Sequence, residues 1–195
     1  MSRVGEAHRV TGETDVRVRI DLDGSGASAI ATGVGFFDHM LTLLARHSLI
    51  DVEVAARGDL ETGSHHTVED VGITLGQALA SALGDRAGIE RYGASLIPMD
   101  ECLVQCALDL SGRPYVNVDV PLPATVIGGF ETELLGEFLR GLANHAGLTL
   151  HVRTLVPGNA HHAIEGSFKA LARALAVAVA PNPRVSGVPS TKGSL

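Results

Sequence analysis

The chain has no tryptophan, and aromatic residues make up only 4% of its 195 residues. Stacking platforms for bases or sugars are therefore scarce. Its 15 lysines and arginines are outnumbered by 22 aspartates and glutamates, which gives a formal net charge of -7. Because there is no broad positive field, genomic DNA is an unsuitable partner, and any anion must be held by a few placed cations.

Cysteine and long apolar runs are also rare. The two cysteines, Cys102 and Cys106, have a spacing that matches neither a usual zinc pair nor a disulfide framework, so both are predicted to be packing residues. The longest apolar stretch, residues 174–180, is far shorter than the roughly 20 residues that span a bilayer. The N-terminal segment lacks the apolar core of a signal peptide, so we expect a cytoplasmic protein without a membrane partner.

The first half of the chain alternates between strand and helix patterns, and 45% apolar residues are enough for a sizeable core. Residues 14–22 alternate between polar and apolar side chains, as a strand with one exposed face does. Residues 27–32 are predicted to return as its hairpin partner. Asp38 is predicted to be the N-cap of an amphipathic helix over residues 38–47. A strand over 50–56 and a helix over 67–83 are expected to follow.

The second half repeats this order. Residues 103–110 and 115–120 are predicted to be paired strands around a Ser-Gly-Arg-Pro turn. A helix over 133–145, a strand over 148–155 and a helix over 162–180 follow, the last ended by prolines.

The two halves also match residue by residue. His47 and Val54 fall on His145 and Val152 without a gap, and a gap of two residues then aligns His65 with His161. The sequence therefore predicts an α+β fold of two repeated β-β-α-β-α halves, residues 1–87 and 88–185. Residues 186–195 are predicted to be a C-terminal tail that contributes to a substrate site.

Histidine is the residue that stands out, with nine copies, four of them in the motifs HHTVE and HHAIE. Residues three and four apart share a helix face, so Glu69 stands beside His65 and His66, and Glu165 stands beside their equivalents. Adjacent residues are turned by about 100° from one another, so each pair is predicted to serve two different metal ions. Imidazole and carboxylate without thiolate suit Mn, Fe, Co, Ni or Zn.

Two further positions can bind metal. His39, in FFDHM, begins the first-half helix, and its repeat equivalent is Glu137 in LLGEF. A single histidine at a helix start is also a common cap or core group, so the metal and structural interpretations both stay open for these two. His47 and His145 lie in last turns, where a cation favours the helix dipole, and they are expected to be structural.

The few cations are candidates for anion binding. Arg113 lies in a turn where backbone N–H groups and a guanidinium can hold a phosphate together. The tail brings Ser190, Thr191 and Lys192, which form a phosphate clamp if it folds onto a site. Arg91 and Lys169 complete the candidates.

Eight motifs, in order, resemble the imidazoleglycerol-phosphate dehydratase family from about Arg9 to Leu195. They are GVGFFDHM, GSHHTVEDVGITLGQAL, RYG, PMDE, LDLSGRPY, LTLHVR, NAHHAIEGSFKALARAL and VPSTKGSL. The resemblance implies that each half is a four-stranded sheet with two helices on one face. It also implies a 24-subunit homo-oligomer with sites between subunits, and two Mn(II) ions per site that help to dehydrate imidazole glycerol phosphate to imidazole acetol phosphate in histidine biosynthesis.

The resemblance also implies roles for individual residues. The metal ligands would be His65, His66, Glu69, His161, His162 and Glu165. His39 would contact metal or substrate, and Glu137 stands where plant-like members carry histidine. The phosphate would be held by Arg91, Arg113, Ser190 and Lys192. Glu13 would exchange the proton as a catalytic residue, with catalytic Lys169 near a hydroxyl.

Two other functions fit the metal motifs alone. A dinuclear hydrolase would use paired ions to activate water on a phosphorylated substrate and would release inorganic phosphate or an amine. A metal-storage or metal-assembly protein would bind ions without turnover and would give no role to Arg91, Arg113 and Lys192.

Overall fold

The computed structural model describes residues 3–195, which form two halves of the same element order. The elements of the first half are β1 Val4–Val10, β2 Thr14–Asp21, β3 Ser28–Ala31, α1 Gly35–Ser48, β4 Asp51–Gly58, a 3-10 turn Leu60–Thr62 and α2 His65–Leu83. Those of the second half are β5 Tyr92–Met99, β6 Cys102–Asp109, β7 Tyr115–Asp119, the short strands β8 Val126–Ile127 and β9 Phe130–Glu131, α3 Leu134–Ala146, β10 Thr149–Val156 and α4 Ala160–Ala178. The predicted α+β fold of two repeated halves is confirmed.

Each half forms a four-stranded sheet, in the orders β1-β2-β4-β3 and β5-β6-β10-β7. The first strand of each sheet, β1 or β5, was not predicted from periodicity, so the order is β-β-β-α-β-α. These are edge strands, and β5 contains Gly93 and Pro98, which weaken a strand pattern.

Both predicted hairpins are wrong. β3 pairs in parallel with β4, with Ile30 opposite Val54, and β7 pairs in parallel with β10. The strand β2 is already flanked by β1 and β4, so neither of its edges is open to β3. A helix therefore crosses over between the two parallel strands, as such a connection requires.

The helix starts also differ from the prediction. Helix α1 begins at Gly35 with Val34 as its N-cap, so Asp38 does not cap it. The Asp38 carboxylate instead accepts hydrogen bonds from the Thr32 backbone N–H at 2.9 Å and the Thr32 hydroxyl at 2.5 Å. Helices α2 and α4 begin at His65 and Ala160, so all four paired histidines lie in a first helical turn.

All four helices lie between the two sheets and point the same way. Helix α2 packs on β1 and β2 and against α3, while α4 packs on β5 and β6 and against α1. The rings of Phe37, Phe138 and Phe168 cluster near the helix starts, with centroids 5.1–6.4 Å apart. Further along the helices, Leu44, Leu75, Leu142 and Leu175 line one small internal cavity. Within the described residues, no helix meets the length and apolarity needed to cross a membrane.

One glycine in each sheet sets the distance to the long helix that packs on it, α2 or α4. A Cβ on Gly5 would lie 2.0 Å from the Ala78 carbonyl oxygen, and one on Gly93 would lie 1.9 Å from that of Ala174. Ala78 and Ala174 are themselves repeat equivalents. The two halves therefore share the same close approach of strand backbone to helix backbone.

The substitution Gly93→Ala is expected to lower the free energy of unfolding by about 3 kcal/mol or more, because its methyl group meets rigid backbone. Gly136→Ala, in α3, is the matched control, since a Cβ there has no neighbour within 4 Å. That control is expected to gain about 0.5–1 kcal/mol from helix propensity. Urea denaturation of both variants measures the difference, and equal midpoints would contradict the packing argument.

Candidate active site

The paired histidines lie at the helix starts, each pair beside its glutamate. The Nε2 atom of His65 lies 3.9 Å from Glu69 Oε2, and that of His161 lies 3.2 Å from Glu165 Oε2. The two rings within each pair have centroids 6.0 Å apart and are inclined by 73° and 81°. The second histidine of each pair contacts other carboxylates, so the two imidazoles of a pair face different partners.

His39 joins the second-half pair across the boundary between the halves. Its Nε2 atom lies 3.9 Å from Glu165 Oε2, and the neighbouring Phe36 ring packs edge-on against His161 at 4.9 Å. Lys169 donates to Glu165 Oε1 at 2.7 Å. Burial raises the pKa of Glu165, but the hydrogen bond and charge of Lys169 outweigh it and leave the pKa lowered. His39, His161 and Glu165 thus form one cluster with an ionised carboxylate.

Glu137 has a different environment from its repeat equivalent His39. It lies in the first turn of α3 and pairs with Arg140 on its own helix. Helix α3 runs alongside α2, since a Cβ on Gly72 would touch the Phe138 carbonyl oxygen and one on Gly76 that of Leu142. Glu137 therefore lies at the same end of the molecule as His65 and Glu69, and its role as a ligand stays a prediction.

In each pair, the Nδ1 atom of the second histidine lies within hydrogen-bond distance of a carboxylate. His66 Nδ1 lies 3.0 Å from Asp59 Oδ2, and His162 Nδ1 lies 2.9 Å from Glu101 Oε2. On the other side of the rings, Nε2 lies 3.7 Å from Glu13 in His66 and 3.8 Å from Asp100 in His162. Hydrogen bonds to Asp59 and Glu101 raise the pKa of His66 and His162 respectively.

Sequence reasoning missed Asp59, Asp100 and Glu101. Metal-ligand atoms of Asp100, Glu101 and His162 lie within 4.8 Å of one another. Glu101 has the same 88-residue spacing from Glu13 as Gly93 has from Gly5, so aligning β1–β2 with β5–β6 would have found it. The Asn159 backbone N–H, and then His162, hold the pKa of Glu101 at about 2.

The predicted phosphate-binding residues come together in one open pocket. The pocket has a volume of about 590 Å³ and is lined by Arg91, Tyr92, Arg113, Pro189, Ser190, Thr191 and Lys192. The tail is folded there, with the Lys192 backbone N–H donating to the Ser190 hydroxyl at 3.2 Å. The structure thus places the two aliphatic hydroxyls of the tail and three cationic side chains around a single concavity.

Arg91 connects the tail to the second sheet through hydrogen bonds. Its buried guanidinium donates to both carboxylate oxygens of Asp109, at 2.7 and 3.0 Å, and to the Pro189 carbonyl at 2.7 Å. The hydrogen bonds that Arg91 donates to Asp109 raise the pKa of Arg91. The side chain therefore positions the tail as well as adding positive charge to the pocket.

The histidines and this pocket lie at opposite ends of the molecule. The Arg91 backbone N–H donates to Ala178, at the end of α4. His162 lies sixteen residues earlier on that helix, which at 1.5 Å per residue is about 24 Å away. Strand β6 gives a second measure, because Glu101 beside His162 precedes it and Asp109 beside Arg91 ends it, about 26 Å apart.

The first-half histidines are equally distant from the pocket. Helix α2 runs parallel to α3, so His65 and His66 lie near the start of α3. Arg113 lies beyond the other end of α3, where a Cβ on Gly147 would be 3.4 Å from the Gly112 Cα atom. All four paired histidines are therefore far from the tail of their own chain.

Comparison with known proteins gives the family. Residues 32–175 match the family model described as imidazoleglycerol-phosphate dehydratase. Curated proteins of that name from Desulforamulus reducens and Acetivibrio thermocellus are 56% and 57% identical over 195 residues, covering 100% of this chain and of each relative.

Solved structures give the same match. The crystal structure of imidazoleglycerol-phosphate dehydratase from Staphylococcus aureus has a TM-score of 0.83 and 40% identity, covering 92% of this chain and 99% of that one. The Pyrococcus furiosus structure, in complex with (S)-C348, has the same score and identity and covers 96% and 99%.

Proposed function

The chain belongs to the imidazoleglycerol-phosphate dehydratase family, a hydro-lyase family of histidine biosynthesis, and we propose that it removes water from imidazole glycerol phosphate with two Mn(II) ions in sites shared between copies of the chain. The product is imidazole acetol phosphate. The observation that carries the shared site is the distance of about 24 Å between the histidines and the phosphate pocket of one chain.

The substrate is too short to bridge that distance. Its imidazole ring and phosphate are separated by three carbons, which span less than about 10 Å. An imidazole held at the histidine end therefore needs the phosphate pocket of another copy. This argument supports a homo-oligomer, and the family resemblance supports 24 subunits and a cytoplasmic location.

The residues at the histidine end fit Mn(II). They offer imidazole nitrogens and carboxylate oxygens, mostly half-exposed, which suit a divalent ion of intermediate hardness. Cys102 and Cys106 are buried and free, and burial raises the pKa of Cys106 to about 12, so thiolates do not compete. The ligands would be His65, His66, Glu69, His161, His162 and Glu165, with His39 at the Glu165 cluster and Glu137 at the start of α3.

Bound ions would supply Lewis acidity that draws negative charge into the substrate's imidazole ring. The remaining chemistry falls to side chains. The hydroxyl leaves from the carbon next to the ring with a proton from the Lys169 ammonium. The Glu13 carboxylate takes the proton from the neighbouring carbon, which gives an enol. The enol becomes the ketone when Glu13 returns this proton to the ring-bearing carbon and the enol hydroxyl gives its own proton back to the Lys169 amine.

Glu13 is better suited to proton transfer than its repeat equivalent. Its side chain is 53% exposed and lies 3.7 Å from His66 Nε2. Glu101 instead accepts from the Asn159 backbone N–H at 2.6 Å and from His162. Of the two equivalent carboxylates, only Glu13 is left free to accept a proton.

The direct test incubates Mn(II)-loaded protein with imidazole glycerol phosphate and follows the ketone product by its enolate absorbance in alkali. We expect product only with metal, and a chelator-treated sample is the control. Release of inorganic phosphate in place of the ketone would overturn the proposal in favour of a dinuclear hydrolase.

The substitution Arg113→Ala is expected to weaken substrate binding about 10- to 100-fold, because a hydrogen bond to a charged group contributes about 1.5–3 kcal/mol. Its Mn(II) content should equal that of the wild type, since Arg113 donates no ligand. Arg46→Ala, an exposed cation on α1, is the matched control. Loss of metal from the Arg113 variant would contradict the assignment of this pocket to phosphate.

Subunit complementation tests the shared site. Glu13→Gln disables the histidine end and Lys192→Ala disables the phosphate end, so each variant alone is expected to be nearly inactive. Random mixed assemblies contain intact composite sites, and co-expression should restore up to about a quarter of wild-type activity. The matched control mixes Arg113→Ala with Lys192→Ala, both at the phosphate end, and should restore none. Mixed assemblies that stay inactive would show that each site lies within one chain.

A further inference from the structure

The second histidine of each pair is held by a carboxylate that nothing so far assigns to the site. His66 Nδ1 lies between 3.0 and 3.1 Å from the two Asp59 oxygens, and His162 Nδ1 lies 2.9 Å from Glu101. We propose that Asp59 and Glu101 are positioning residues, each fixing its histidine in the tautomer that leaves Nε2 free to bind metal. The inference rests on the proposed role of His66 and His162 as ligands.

The physical reason is the hydrogen-bonding capacity of each group. A neutral imidazole has one N–H and one lone pair, whereas an ionised carboxylate only accepts. A carboxylate at Nδ1 therefore requires the proton on Nδ1 and leaves the Nε2 lone pair for the ion. Such carboxylates commonly orient metal-binding histidines and strengthen their binding.

The two carboxylates reach equivalent atoms from different places in the repeat. Glu101, from the β5–β6 turn, extends against the segment before α4, where a Cβ on Gly158 would be 2.4 Å from its Oε1 atom. Asp59 instead follows β4 and accepts from the Thr62 hydroxyl at 3.0 Å. Because Asp59 lies at Nδ1 of His66, Glu13 lies on the other side of the ring, beside Nε2. In the proposed site, positioning and proton transfer therefore belong to two different carboxylates in the first half.

Glu101→Gln gives a test that a purely structural role would not pass. The Asn159 backbone N–H requires an oxygen, so the glutamine NH₂ group would face His162 Nδ1. Nδ1 must then accept, which moves the ring proton to Nε2 and blocks the metal lone pair. We expect Glu101→Gln to weaken Mn(II) binding about 10- to 100-fold and more severely than Glu101→Ala, although glutamine is the closer mimic in shape.

Asp59 provides the contrasting pair. An asparagine there can turn its carbonyl oxygen to His66 Nδ1, so Asp59→Asn should retain most of the Mn(II) affinity while Asp59→Ala loses about tenfold or more. Glu61→Gln, an exposed carboxylate in the same loop, is the matched control and should bind as the wild type does. The amide variant should thus bind Mn(II) more weakly than the alanine variant at Glu101 and more tightly than it at Asp59. This opposite order is what control of the histidine tautomer predicts.

Calorimetric titration of Mn(II) into the metal-free, full-length assembly measures these affinities, with circular dichroism confirming that each variant is folded. Ring-15N chemical shifts should show one more Nε2–H tautomer in Glu101→Gln than in the wild type. Unchanged affinity and tautomers in Glu101→Gln would overturn this inference alone. A wild-type protein that binds no Mn(II) would overturn the proposed metal site itself.

Discussion

The parallel alignment of the four helices between the two sheets determines where every functional group lies. Each long helix is held by a backbone contact at a strand glycine, Gly5 or Gly93, which leaves no room for a side chain. Because all four helices start at the same end, their histidines gather there. The strand ends that carry Arg91 and Arg113 lie at the other end with the folded tail. The separation of the histidines from the pocket of Arg91 and Arg113 is thus a property of the fold.

The two halves share the same framework, whereas equivalent positions in them differ in chemistry. His39 contacts the Glu165 cluster, whereas its equivalent Glu137 pairs with Arg140. Lys169 neutralises Glu165, but the equivalent residue on α2 is Ile73. The first half also contains Asp70, a buried carboxylate. It accepts hydrogen bonds from Arg9 and from Thr14, the residue next to Glu13. The two halves are alike in backbone and different in charge.

Much of this arrangement could be predicted from the sequence because the informative residues are close together along the chain. The HH-x-x-E motifs place a histidine and a glutamate on one helical face, although α2 and α4 each begin two residues before the predicted starts. The scarcity of cations and the family motifs then identified Arg91, Arg113 and the tail, which do form one pocket.

The errors concern contacts that the local sequence pattern does not encode. The pairing of β3 with β4 depends on which strand edges are open, which residues 27–32 do not encode locally. Glu101 lies in the PMDE motif, but its contact with His162, 61 residues away, has no local signature. Asp59 contacts His66, seven residues away, from a turn that none of the motifs covers. Asp38 illustrates the limit of capping rules, because it lies inside the first turn of α1 and its carboxylate accepts a hydrogen bond from the Thr32 backbone N–H.

The central claim is that one site combines the histidine end of one copy with the phosphate end of another. Paramagnetic relaxation of the 31P nucleus by bound Mn(II), measured on the intact assembly with the substrate's phosphorylated product, reports that distance directly. A shared site requires the phosphorus to lie within about 10 Å of an ion, as the three-carbon chain demands. A distance near the roughly 24 Å separation within one chain would contradict the account.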